Sequence, residues 1–140
     1  MERMVAKTPR RTQGQGVTDL HVREAGQGEP VVLLHGLFGN GANLGALARA
    51  LQQQYRVISL DLPGHGRSAA PESFDLPGMA QVVLRWLQQQ GLERAHLVGH
   101  SLGGKVAMQM ALSQGAQVAS LVVADIAPVA YPASHDAVFA

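Results

Sequence analysis

The sequence contains no cysteine, which excludes a disulfide framework, a thiolate metal site and a cysteine nucleophile and fits a reducing compartment. Aromatic residues make up 4% of it and charged residues 15%, with a formal net charge of +1. So balanced a chain lacks the basic face of a nucleic-acid binder, and no nucleic-acid partner is expected. No apolar run approaches the roughly 18 residues of a membrane span. The first residues also lack the apolar stretch, about 7–15 residues long, of a secretory signal. The expectation is therefore no membrane span and a cytoplasmic location. The small basic excess is concentrated at the start, where Arg3, Lys7, Arg10 and Arg11 face only Glu2. With no helical or strand periodicity around them, residues 1–16 read as a disordered basic tail.

What the chain does have is apolar content, 46% of 140 residues, enough to bury a core. One domain fits that length, although complete α/β domains often reach roughly 200–250 residues. Residues 17–140 are accordingly expected to be the N-terminal part of a single domain. Leu20 and Val22 alternate as in a strand, a Gly26–Pro30 turn follows, and Val31–Leu34 is apolar on both faces, as in a buried parallel strand. Leu44, Leu47, Ala48 and Leu51 recur at helical spacing, then Val57–Leu60 reads as a strand. Met79, Val82, Val83, Trp86 and Leu87 form a second helical stripe, better read as core packing than as a cofactor site. Ala95–Gly99 predicts a strand, Leu102 to about Gln114 a helix, and Ser120–Ala124 a further strand. Strands that alternate with helices imply an α/β fold, a doubly wound, mostly parallel sheet with helices on both faces.

Gly99-His100-Ser101-Leu102-Gly103 matches G-x-S-x-G at a predicted strand-to-helix turn, the context in which this pattern presents a serine nucleophile. The bland alternative is a glycine-rich turn with a capping serine. Bulkier residues at Gly99 and Gly103 would collide around so tight a turn, and the helix start aims the Leu102 N–H at any oxyanion that develops on the substrate. A second oxyanion donor has to come from a neighbouring strand-to-helix loop, and His35-Gly36-Leu37-Phe38-Gly39 follows the buried strand. Leu37 is the chosen N–H donor and Phe38 the second candidate, with Phe38 also the expected substrate contact. His35 is read as a structural hydrogen bonder rather than as a base. Asp125 ends an apolar strand at the sheet edge where doubly wound folds bind ligands, although a loop or capping aspartate would look the same. Asp61 also ends a strand, but Pro63-Gly64-His65-Gly66 after it reads as a sharp turn.

His35-Gly36, Asp61-Leu62-Pro63-Gly64-His65-Gly66-Arg67-Ser68 and Gly99-His100-Ser101-Leu102-Gly103-Gly104, in that order, resemble the α/β-hydrolase superfamily. His35 through Asn40, Asn43-Leu44, Gly103-Gly104-Lys105, Asp125 through Val129 and Tyr131 resemble, more narrowly, the bacterial YbfF-type esterases. The resemblance covers residues 18–140. It implies a serine hydrolase that cleaves small-molecule carboxylic esters or acyl thioesters through an acyl-enzyme on Ser101, with no metal and no cofactor. It also makes Asp125 the acid of the triad and Asp61 structural, and gives His65 and His100 no role as base. The base it implies is a histidine beyond a cap and two further core strands, so the chain is expected to be truncated before them and nearly inactive alone. His135, ten residues after Asp125, reads as the start of a lid or cap segment. The strand at 120–124 would then be an unpaired edge prone to association. A non-catalytic binding protein of the same fold is the alternative. Acyl chain length, the ester or thioester preference and the oligomeric state have no signature in these residues.

Overall fold

The computed structural model describes residues 5–7, 20–36, 39–70 and 75–124. Among the described residues six strands form one sheet in the order β1-β2-β4-β3-β5-β6. They are β1 (Val5–Lys7), β2 (Val22–Ala25), β3 (Pro30–Leu34), β4 (Arg56–Leu60), β5 (Ala95–His100) and β6 (Val118–Ala124). β3 pairs in parallel with β4 and β5, and β5 with β6, whereas β1–β2 and β2–β4 are antiparallel. The sheet is thus mostly parallel, as the alternation of elements predicts. β1 falls in the stretch read as a basic tail and pairs with β2 through Val5, Ala6 and Lys7.

Helices cover both faces. α1 (Gly45–Leu51) lies on one, α2 (Leu76–Gln89) and α3 (Leu102–Ser113) on the other. The period of two along each strand divides the apolar residues between them. Val32 and Leu34, Ile58 and Leu60, and Leu97 pack with Met79, Val83 and Trp86 of α2 and Val106 and Met110 of α3. Val31, Leu33 and Val57 meet Ala48 of α1 instead. Asp75 caps the start of α2: its carboxylate accepts the Gly78 N–H at 2.7 Å, satisfying one of the donors that a helix start leaves open. Before α1, Asn40 and Asn43 cap each other's backbone N–H groups and wind Gly41–Leu44 into a 3-10 turn. The helix therefore starts at Gly45, one residue later than its apolar stripe.

The chain reverses its winding direction at β3, which runs through α1 to β4 on one side and lies beside β5, reached from β4 through α2, on the other. Doubly wound sheets bind ligands outside the carboxyl ends of the strands at such a point. Register places Leu34 opposite Gly99, so the segments that leave β3 and β5 start side by side. Among the described residues β6 lies at one end of the sheet, with Val122 54% exposed and Leu121 37% exposed.

Candidate active site

Ser101 stands between β5 and α3 with φ 54° and ψ −118°. Among the described residues no other non-glycine has a positive φ. These angles are those of the first central residue of a type II′ turn, a position that favours glycine. Strain of this kind costs on the order of 1–3 kcal/mol and persists only where surrounding structure imposes it. Here the imposition is visible. Leu102, Val106 and Met110 of α3 are buried, each contributing about 1.5–3 kcal/mol, which together outweighs the strain. The Ser101 side chain makes no capping hydrogen bond to α3, while its backbone N–H donates to the Ala124 carbonyl at 3.0 Å. Ser101 is thus the N-cap of α3 by its backbone alone, with its hydroxyl not used as a cap.

Two glycines let the turn close. A methyl group on Gly99 would lie 2.5 Å from the Gly103 carbonyl oxygen and 2.6 Å from the Gly104 Cα. One on Gly103 would overlap the Leu34 carbonyl and come within 2.5 Å of the His35 carbonyl oxygen. Gly99 thus admits the first turn of α3, and Gly103 admits the end of β3. Leu102 opens α3, and the first N–H groups of a helix have no partner within it.

The loop after β3 comes close to this turn. A methyl group on Gly36 would lie 3.2 Å from His100 Nδ1 and 3.4 Å from Ser101 Cβ. The Gly36 carbonyl oxygen lies 2.6 Å from His35 Nδ1 and accepts the Gly39 N–H at 3.1 Å. His35 is fully buried, and its Nε2 accepts the Leu62 N–H at 2.8 Å. An acceptor at Nε2 requires the proton on Nδ1, so the imidazole is neutral and donates to Gly36. His35 therefore ties the loop after β3 to the loop after β4, a link between residues 27 apart that no local pattern announces. Leu37 and Phe38 lie outside the described residues, as does Asp125, which follows Ala124. Of the expected site residues, the structure brings Ser101 and Leu102 together beside Gly36.

Asp61 is occupied elsewhere. Its Oδ2 accepts the Arg67 N–H at 2.9 Å and lies 3.3 Å from His21 Nδ1, and its carbonyl accepts Ser68 Oγ–H at 2.6 Å. It closes the turn 61–68 on itself, the structural role its sequence suggests. Among the described residues no group of three or more His, Cys, Asp or Glu side chains could hold a metal ion, and no helix is long and apolar enough to cross a membrane.

The profile of the alpha/beta hydrolase fold family matches residues 29–139. The chain belongs to that family. This α/β-hydrolase chain is 41% identical to the esterase YbfF of Escherichia coli (strain K12) over 112 residues, covering 79% of the chain and 44% of the relative. It is 43% identical over 112 residues to the sn-1-specific diacylglycerol lipase ABHD11 of Mus musculus, covering 78% of the chain and 36% of the lipase. Among solved structures, an esterase from a marine microorganism superposes with a TM-score of 0.79 at 37% identity, over 82% of this chain and 44% of that one. The chain thus spans less than half the length of the relatives it matches, and its likeness to YbfF-type esterases holds over that part.

Burial gives His35 a measurable signature in this α/β-hydrolase chain. Desolvation, the largest cause, moves its pKa below the ordinary 6.5, and the nearby His65 acts in the same direction, against the Gly36 hydrogen bond and Asp61. A histidine with a folded pKa below its unfolded one binds its proton more readily when unfolded, so stability rises with pH between the two values. The contribution is complete above about pH 6.5, is lost as pH falls below that value, and levels off beneath the folded pKa. Urea midpoints of the parent and a His35→Gln variant, measured from about pH 5 to 7.5, should show a slope in the parent that the variant lacks. Equal slopes would contradict a neutral buried imidazole.

Proposed function

We propose that this α/β-hydrolase is a carboxylic ester hydrolase that works through an acyl-enzyme on Ser101. The observation that carries the reading is the Ser101 backbone: strain retained at a residue whose side chain does not cap its helix, beside a glycine loop at the switch point of the sheet. Names of the similar proteins, esterase and lipase among them, support the ester bond as target. Oγ of Ser101 attacks the acyl carbon, and the N–H groups of Leu102 and Leu37 receive the oxyanion. Phe38 lines the acyl group, and the acyl-enzyme is released by water. Asp125 orients the imidazole that takes the Ser101 proton and returns it to the leaving alcohol or thiol. In the order serine, acid, histidine that imidazole comes after Asp125, on a histidine that the resemblance puts beyond a cap and two further core strands, and a chain that lacks it turns over ester slowly.

The test compares hydrolysis of p-nitrophenyl acetate and butyrate by this chain and by a form extended beyond Ala140 through a histidine, each with and without Ser101→Ala. The extended form should exceed the 140-residue chain by about 10³-fold or more, and the substitution should remove the difference. A folded extended form whose turnover ignores Ser101 would overturn the proposal and favour a binding role.

A further inference from the structure

Away from Ser101, a second hydroxyl is joined to an imidazole and a carboxylate. His96 on β5 lies opposite Ser120 on β6 in the register of the sheet. Its Nδ1 is 2.7 Å from Ser120 Oγ, and its Nε2 is 2.8 Å from Oε2 of Glu29, the residue before β3. The Tyr55 ring meets the imidazole edge to face at 6.1 Å between centroids. These residues sit near the amino ends of β3 and β5, roughly 17 Å along β5 from Ser101 at about 3.3 Å per residue.

The chemistry of the three groups assigns the protons. An ionised glutamate can only accept, so it takes the hydrogen on Nε2. A neutral imidazole then has its lone pair on Nδ1, and the Ser120 hydroxyl donates to it. Carboxylate, imidazole and hydroxyl are thus in the order that activates a serine: Glu29 fixes the tautomer, and His96 stands ready to remove the proton. In the 140-residue chain, among the described residues, the cluster is open to reagents: Ser120 is exposed and the Glu29 side chain is 73% exposed. What the site lacks, compared with Ser101, is a helix start behind the serine. Ser120 lies inside β6, so among the described residues no N–H comparable to that of Leu102 collects an oxyanion or promotes a second step.

We propose that Ser120 is a stoichiometric acyl-acceptor site for activated acyl donors, the class that includes aryl esters, acyl phosphates and acyl thioesters. Ser120 Oγ forms the bond to the acyl carbon as its proton passes to His96 Nδ1. The bond from that carbon to the leaving oxygen or sulfur breaks, and the leaving group departs with the proton from Nδ1. One donor is consumed, one serine ester is formed, and His96 returns to its starting state. Without an oxyanion site the ester persists, so the group is retained rather than turned over.

The 140-residue chain carrying Ser101→Ala, which removes the competing nucleophile, is incubated with p-nitrophenyl acetate and digested with trypsin. No Lys or Arg follows Lys105, so Ser113, Ser120 and Ser134 share one peptide, and fragment ions separate them. Ser113, which donates to the Gln109 carbonyl at 2.7 Å, serves as the internal reference. The acetyl group is expected on Ser120 at least about tenfold faster than on Ser113. His96→Ala should remove that excess, and Glu29→Gln should reduce it severalfold while the circular dichroism spectrum stays unchanged. Acetylation of Ser120 no faster than that of Ser113, or indifferent to His96→Ala in a folded variant, would overturn the assignment.

Discussion

Replacing Ser101 with glycine is expected to abolish ester turnover in the extended enzyme and, in the same molecule, to stabilise the fold by about 1 kcal/mol. The two effects have one origin. At φ 54° and ψ −118° a residue with a Cβ is strained by on the order of 1–3 kcal/mol, and glycine removes that strain. Glycine also loses about 0.5–1 kcal/mol through the greater freedom of its unfolded chain, which leaves the net gain stated. Alanine makes the control, since Ser101→Ala removes the hydroxyl but keeps the Cβ and with it the strain. Both variants should lose activity by about 10⁴-fold or more, and only the glycine variant should shift its urea midpoint upward. If the two variants unfold at the same denaturant concentration, the strain attributed to this turn is not there.

The second large effect is on stability alone. Gly103→Ala puts a methyl group into the Leu34 carbonyl and 2.5 Å from the His35 carbonyl oxygen. Both are backbone atoms at the end of a strand that is hydrogen-bonded on two sides, so neither can swing away as a side-chain tip would. α3 has to move off the sheet, taking its buried apolar face with it. A loss of about 3 kcal/mol or more is expected, with Ser101 displaced and activity lost alongside. Gly115→Ala calibrates the measurement, because a methyl group there meets nothing within 4 Å and the backbone is not in the left-handed region. A Gly103→Ala variant within 1 kcal/mol of the parent (~0.7 of a tenfold step in the folding equilibrium) would show that α3 and β3 are not packed this closely.

How far the sequence reaches can be seen element by element. Strand and helix positions are legible wherever burial imposes a period: Val31–Leu34, Val57–Leu60 and the Met79–Leu87 stripe fall inside β3, β4 and α2. β6 starts at Val118, two residues before the expected Ser120, because pairing with β5 extends it past the apolar run. The 3-10 turn at Gly41–Leu44 depends on two asparagine side chains each meeting a backbone N–H, which a count of apolar residues does not register. β1 exists through pairing with β2, and three residues with little pattern of their own give no warning of it.

The same division runs through the candidate site. G-x-S-x-G and its position after a strand identify Ser101 and the local need for small residues on either side. What Gly103 accommodates is the end of β3, nearly seventy positions earlier by numbering (about 70, a contact set by the topology of the sheet). Likewise His35 reads as a hydrogen bonder from its sequence, but its partner at Leu62 is fixed only when β3 and β4 lie side by side. Leu37, Phe38 and Asp125 lie outside the described residues, and their roles rest on the resemblance and on the chemistry of the proposal.

The hydrogen bond from the Ser101 N–H to the Ala124 carbonyl continues the β5–β6 ladder by one rung into the turn. The carbonyl on one side of that rung is that of the last described residue of β6, and the amide on the other belongs to the proposed nucleophile. The turn that presents Ser101 is therefore tied to the end of β6 by a main-chain link that contains no side-chain atom. Amino-acid changes along β5 and β6 can alter the shape of the surrounding surface while this link stays in place, so a lineage can change what lies around the turn without loosening the turn from β6.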